Sequence, residues 1–201
     1  MTKEEKTRRT REKLINSAIE MFGEKGYEGF NINEFCRTYD VSKGILYHNF
    51  SGRDELYLEG AKKCYSEFTE FLENSGKISD IRQYMKVRLK FFLEHPVYEK
   101  FFFEILLRPP FNLIEEIRTI QEKQLEFNKQ VFRNLITDAP LREKMTIEEA
   151  LDYFDIMQEV FNRKFIKISK DAENLNVLSK YHEEKIEKFI DYLLYGIIER
   201  H

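Results

Sequence analysis

The chain has 201 residues, 42% hydrophobic and 34% charged, with 18 Phe, 11 Tyr, no Trp, 8 Gly, 4 Pro and 2 Cys. That length allows one large domain or two small ones around a real core, and the balance of charge and apolar residues excludes a disordered chain. So few glycines and prolines argue against a sandwich or barrel, no apolar run approaches the roughly 18 residues of a membrane span, and the charged N-terminus lacks the apolar centre of an export signal.

Cys36 and Cys64 form neither a zinc-site spacing nor a disulfide framework, so a cytoplasmic protein with reduced thiols is expected. The formal net charge of −3 is no bulk signature of nucleic-acid binding. Its distribution says more: residues 1–13 hold six cations and three anions, while residues 64–201 hold 21 cations against 25 anions. A weakly basic front on an acidic body fits a DNA-binding head without demanding one.

In chain order the apolar periodicity is helical throughout. Leu14, Ile15, Ala18, Ile19 and Phe22 mark one face of a first helix, with Gly26 as its expected stop. Asn31 three residues before Glu34 reads as a capping box opening a short second helix, with Phe35 inward and an end near Tyr39-Asp40. Ser42 is a good N-cap for a third short helix reaching about Asn49. Ser51-Gly52-Arg53-Asp54 offers the start of a fourth, which carries Leu56, Ala61, Tyr65, Phe68 and Leu72 and fades by Gly76. A stripe of Ile81, Tyr84, Met85, Arg88, Leu89 and Phe92 stops at His95-Pro96, and the next helix breaks at Pro109-Pro110. Residues 111–137 read as one long helix. Thr146 and Glu149 read as a capping box for another, and a polar stretch from Ser169 to Asn176 precedes a last helix that carries Ile186, Phe189, Ile190, Leu193, Ile197 and Ile198.

Residues 31–50 carry the functional signal. Two short helices joined by a turn of about four residues form a helix-turn-helix, whose second helix enters the DNA major groove. Asp40 falls where the turn needs positive φ, and Asp is among the few non-glycine residues that accept it. Gly44, near the start of the third helix, either is tolerated there or lets backbone approach DNA closely. Tyr47, His48 and Asn49 present polar tips, while Leu46 and Phe50 anchor the segment.

The stretch from Leu14 to Leu56 resembles the DNA-binding domain of TetR-family transcriptional regulators. The matching residues are Ile15, Ala18, Phe22, Gly26 and Tyr27, then Val41-Ser42-Lys43-Gly44-Ile45-Leu46-Tyr47-His48-Asn49-Phe50, then Arg53-Asp54-Glu55-Leu56. The chain departs from the family's usual pattern at Cys36 (usually alanine), at Asp40 (usually glycine) and at Asn31 (often Thr or Ser). Cys36 reads as a small core residue rather than a redox sensor.

The resemblance implies an all-α protein of about nine helices. A three-helix DNA-binding domain at residues 1–52 would precede a helical effector-binding and dimerisation domain at 53–201, with 53–75 as the linking helix. It places Lys43, Tyr47 and Arg53 on phosphates, together with the Asn31 end of the second helix, and Gly44, Ile45 and His48 at base edges, with Ser42 also among the DNA-binding residues. Cations and hydroxyls position a protein on DNA, and base-edge groups specify sequence. Arg8, Arg9 and Arg11 read as a solvated N-terminal arm rather than as minor-groove ligands.

The resemblance further implies a homodimer through the last two long helices. The second apolar stripe on the helix at 147–168, which includes Ile156 and Val160, agrees with that. The aromatic-rich middle of the chain supplies candidate effector-lining residues: Tyr84, Phe91, Phe92, Phe102, Phe127, Phe154 and Phe161. The expected function is a ligand-responsive DNA-binding regulator, a repressor on a near-palindromic operator, released by a small apolar or aromatic effector. The alternative is a DNA-bound helical scaffold that recruits a protein partner. No cofactor, metal or membrane contact is expected. The four histidines are scattered, there is no nucleophile elbow or phosphate-cradling loop, and neighbouring carboxylates such as Glu183-Glu184 point different ways and read as solvated, so an enzyme is not expected.

Overall fold

A computed structural model of the chain describes residues 2–142, 144–169 and 174–197. Its helices are α1 (Lys3–Gly29), α2 (Ile32–Thr38), α3 (Lys43–Asn49), α4 (Arg53–Glu73), α5 (Ile81–Glu94), α6 (Pro96–Leu107), α7 (Ile114–Thr137), α8 (Ile147–Ser169) and α9 (Leu175–Ile197), with a single 3-10 turn at Phe111–Leu113. The all-helical class expected from periodicity is therefore what the chain adopts. None of these helices is long and apolar enough to cross a membrane.

Several boundaries differ from the sequence reading, each for a local reason. The arginine-rich start is not a loose arm: Thr2 and Glu5 form a reciprocal capping box that starts α1 at Lys3. Nor does α1 stop at Gly26. It breaks there at φ 71° and resumes for one turn to Gly29. At the next junction only half of the expected capping box forms. Asn31 Oδ1 accepts the N–H groups of Asn33 and Glu34 at 2.9 and 3.1 Å, while the Glu34 carboxylate turns to Lys25.

Ser51 lies before the start of α4 and does not cap it; the Glu55 carboxylate instead accepts the Ser51 N–H at 2.7 Å. The segment at 111–137 begins as the 3-10 turn, and α9 starts at Leu175, inside the stretch that reads as polar linker, because Asn174 Oδ1 accepts the Asn176 N–H at 2.9 Å. Ile198, assigned to the last helix from sequence, lies outside the described residues.

The chain divides into two compact units, residues 1–67 with 95–120 and residues 68–94 with 121–201. The first is built on an aromatic core. Phe22 stacks on Phe30 at 4.2 Å and meets Tyr57 edge-on at 4.9 Å, and Tyr57 in turn meets Phe101 of α6 at 5.2 Å. α6 lies close against α1: a Cβ on Gly23 would stand 3.1 Å from the Phe101 backbone nitrogen. The break at Gly26 leaves the Tyr27 N–H without a helical partner, and the buried Glu104 carboxylate of α6 accepts it at 3.1 Å. Burial raises the Glu104 pKa despite that hydrogen bond.

In the second unit Phe132, Ile136, Ala150, Leu151, Phe154 and Leu193 form one apolar cluster. α5 and α9 are joined by a partly buried ion pair. Arg88 Nε and Nη2 donate to the two oxygens of Glu183 at 2.8 and 2.9 Å, beneath the rings of Phe68 and Phe92. Glu183 is therefore not the solvated carboxylate read from sequence. Arg88 lies inward (3% exposed) as its place in the α5 stripe expects, whereas Leu89 of the same stripe is exposed (53%). His182, fully buried, hydrogen-bonds Glu183 at 3.1 Å. Burial lowers the His182 pKa despite this contact. Burial opposes the Glu183 charge, but Arg88 and the hydrogen bonds from His182 and Arg88 outweigh it and hold that carboxyl well below the ordinary range.

Two outcomes follow from this architecture. Burial lowers the His182 pKa in the fold below the ordinary value of 6.5 at which the unfolded chain takes its proton, so acid favours unfolding. The melting temperature should fall as pH drops from about 7 to about 5.5, and His182→Asn should flatten that slope. In the α2–α3 turn, Asp40 holds φ 51°. By denaturant titration, Asp40→Val should lose about 1–2 kcal/mol, and Asp40→Gly should lose nothing.

Candidate nucleic-acid interface

α2 and α3 have seven residues each, too short to persist alone in water, so each is held by caps and one apolar anchor. Phe35 of α2 is fully buried and packs 5.5 Å from Phe30. The turn closes with the Val41 N–H donating to the Cys36 carbonyl at 2.9 Å, next to the positive φ of Asp40. Cys36 itself is half buried. Ser42 then caps α3 by accepting the Ile45 N–H at 3.2 Å.

Leu46 and the flanking Phe50 point inward at 0% and 2% exposure, which leaves the other faces of α3 outward. Lys43, Gly44, Ile45, Tyr47 and His48 are all exposed on one seven-residue helix. Ile45 and Tyr47, both large, are 47% and 53% exposed. The anchored helix holds those two side chains outward, where a partner surface can reach them. Beyond its neighbours in the helix, a Cβ on Gly44 would meet only the Ser42 hydroxyl, at an ordinary 3.9 Å, so packing within the chain does not demand glycine there.

Of the residues singled out from sequence, six thus lie together on the first turns of α3 and its cap. Asn31 is exposed at the start of α2 in the same unit. Arg53 stands apart in its environment. Its guanidinium lies 3.9 Å from the Tyr27 ring centroid and Nη1 donates to the Tyr27 carbonyl at 3.4 Å. Tyr27 is itself fixed, its hydroxyl donating to Asp54 at 2.6 Å and accepting from the Asn112 amide at 3.1 Å.

Sequence reasoning missed Arg11. It lies three residues before Leu14, on the inward side of α1, and donates to the Asn49 carbonyl and to Glu59. Its place in the apolar register of α1 was the available signal.

The candidate effector residues do not form one wall. Phe102 belongs to the first unit, 4.9 Å from Tyr65. The others lie in the second unit, in separate clusters. Phe154 stacks on Phe132 at 4.3 Å, Phe161 on Phe189 at 4.7 Å and Phe92 on Phe68 at 5.2 Å, with Phe91 edge-on to Phe68 at 5.1 Å. The Tyr84 hydroxyl donates to Asn128 at 2.7 Å, and Phe127 is half buried.

Comparison with known proteins bears on this geometry. Residues 14–59 match the family model described as bacterial regulatory proteins, tetR family. The biofilm operon icaADBC HTH-type negative transcriptional regulator IcaR of Staphylococcus epidermidis is 31% identical over 62 residues, which cover 31% of this chain and 34% of that protein. The chain thus matches only about a third of that relative's length. Among solved structures, a TetR-family transcriptional regulator from Pectobacterium atrosepticum aligns with a TM-score of 0.66 at 18% identity, covering 100% of this chain and 99% of that one. FadR from Bacillus subtilis, in complex with stearoyl-CoA, aligns with a TM-score of 0.60 at 16% identity, covering 92% and 97%. Those structures share the fold along nearly the whole chain, and residues 14–59 are similar to the DNA-binding part of the tetR family of bacterial regulatory proteins.

Proposed function

We propose that the protein is a DNA-binding transcriptional regulator of the repressor type, acting as a homodimer on a near-palindromic operator. The observation that carries this reading is the outward row Lys43, Gly44, Ile45, Tyr47 and His48 on a helix anchored by Leu46 and Phe50. Residues 1–52 present the DNA-contacting surface and residues 53–201 serve dimerisation and effector response. Lys43, Tyr47, Arg53 and Asn31 position the helix on phosphates, with Ser42 setting its start, while Gly44, Ile45 and His48 face base edges. Exposed apolar residues on the last two helices support the dimer. Ile156 and Val160 of α8 are 60% and 55% exposed, and Tyr192 of α9 is 70% exposed.

The titration that tests this reading uses a duplex enriched from a random pool by the wild-type chain. Two chains should bind each duplex, with steep salt dependence. Lys43→Ala should weaken binding and make the salt slope shallower by about one unit. Gly44→Ala should weaken binding with no loss of melting temperature, since alanine favours helix. Absence of specific binding at moderate salt would sink the reading.

For the effector we propose a small apolar or aromatic compound of acyl or ring character. The likeness to FadR in complex with stearoyl-CoA supports that class. A long-chain acyl thioester or a hydrophobic ring compound should raise the melting temperature and release the duplex. A screen of both classes that moves neither quantity would favour the scaffold alternative.

A further inference from the structure

We infer that Arg11 is a positioning residue for α3: it holds the C-terminal end of that helix against α1 and α4 and so sets where Ile45 and Tyr47 are presented. The inference rests on the DNA-binding reading above. A seven-residue helix leaves most of its C-terminal carbonyls without intrahelical donors. Arg11 Nη1 donates to one of these, the Asn49 carbonyl. Its Nη2 donates to Glu59 Oε2 of α4 at 2.9 Å and lies 3.5 Å from Glu55 Oε1. The guanidinium also sits 4.2 Å from the centroid of the Phe50 ring, the residue that ends α3. One planar fork therefore touches α1, the end of α3 and the first turns of α4.

The contacts reach further into α3. The Asn49 side-chain amide donates to the Ile45 carbonyl at 2.8 Å, which ties the turn bearing Ile45 to the residue that Arg11 grips. Glu55 accepts the Ser51 N–H at 2.7 Å, so the exit from α3 is fixed by the same carboxylate pair. Leu46 and Phe50 bury one face of the helix, but apolar contact alone is non-directional and resists sliding along the axis weakly. The directional hold comes from Arg11, and a cation at that end also suits the helix dipole. The Arg11 guanidinium faces a carbonyl, a carboxylate and a ring of its own chain, and the role assigned to it is to hold α3. Lysine, with a compact charge, cannot reproduce the fork.

The experiment compares full-length wild type, Arg11→Gln, Arg11→Lys and Lys43→Ala on the selected duplex and on a scrambled duplex, across salt concentrations. It adds amide hydrogen exchange of the DNA-free chains. Arg11→Gln should weaken binding to the selected duplex roughly tenfold. Its salt slope and its affinity for the scrambled duplex should match wild type, with Arg11→Lys intermediate. In exchange, Arg11→Gln should accelerate the amides of residues 46–50 and leave those of α2 unchanged.

Wild-type affinity in Arg11→Gln would overturn the inference while leaving the DNA-binding reading intact. So would a salt slope reduced like that of Lys43→Ala, which marks a phosphate contact. Uniform acceleration of all amides, marking a general loss of stability, would also overturn it. If wild type shows no preference for any duplex, both readings fall together. Exchange confined to residues 46–50 then shows only that the hold exists, with no DNA role.

Discussion

A helix of seven residues cannot hold itself, and the rest of the first unit follows from that constraint. Nucleation costs more than one or two turns of hydrogen bonds return, so α3 exists only because its surroundings impose it. Ser42 satisfies a donor at one end, Arg11 an acceptor at the other, and Leu46 and Phe50 remove one face from water. Everything not used in this holding is left outward. That division explains why the exposed residues of α3 include side chains as apolar as Ile45. Their positions are set by the anchors, so their identities are free to answer to a partner.

The second unit solves a different problem. It partly buries a charge pair in an aromatic surround, and such a pair contributes little net stability because desolvation offsets the attraction. What it does add is geometry. Arg88 donates from two nitrogens to both Glu183 oxygens, which fixes the rotation of α5 against α9 more tightly than a leucine contact would. Removing one partner would leave the other charged and partly buried, so the pair works as a register lock between those helices.

Legibility in sequence divided along the same physical line. Signals that act within a few residues were readable. Asp40 announced its positive φ, Ser42 and Thr146 announced their caps, and the residues of 14–56 carried enough pattern to point to the family model that matches them. Signals that depend on distant partners were not. Arg88 lies 95 residues from Glu183, and Arg11 lies 38 from Asn49, so each falls in the apolar register of its helix but nothing local named its partner. Gly26 was half legible: glycine marked the break, but resumption of the helix to Gly29 depends on Glu104, which is 77 residues from the Tyr27 N–H that it accepts. Aromatic density likewise marked the second unit as packed without revealing which rings share a cluster.

Glu104 also links the break in α1 to the start of α4. Its carboxylate takes the N–H of Tyr27, the ring of Tyr27 carries the Arg53 guanidinium, and the Tyr27 hydroxyl holds Asp54. The contact leaves little slack. A Cβ on Gly26 would come within 2.9 Å of Glu104 Oε1, and Gly23 is pressed as closely on the α6 backbone. Close-packed elements shift between discrete arrangements rather than deforming smoothly. Any displacement of α6 along α1 must therefore either carry Tyr27 with it or break its hydrogen bond to a buried carboxylate. Because Tyr27 seats Arg53 and Asp54, one run of contacts joins the buried carboxylate of α6, the break in α1 and the first turn of α4.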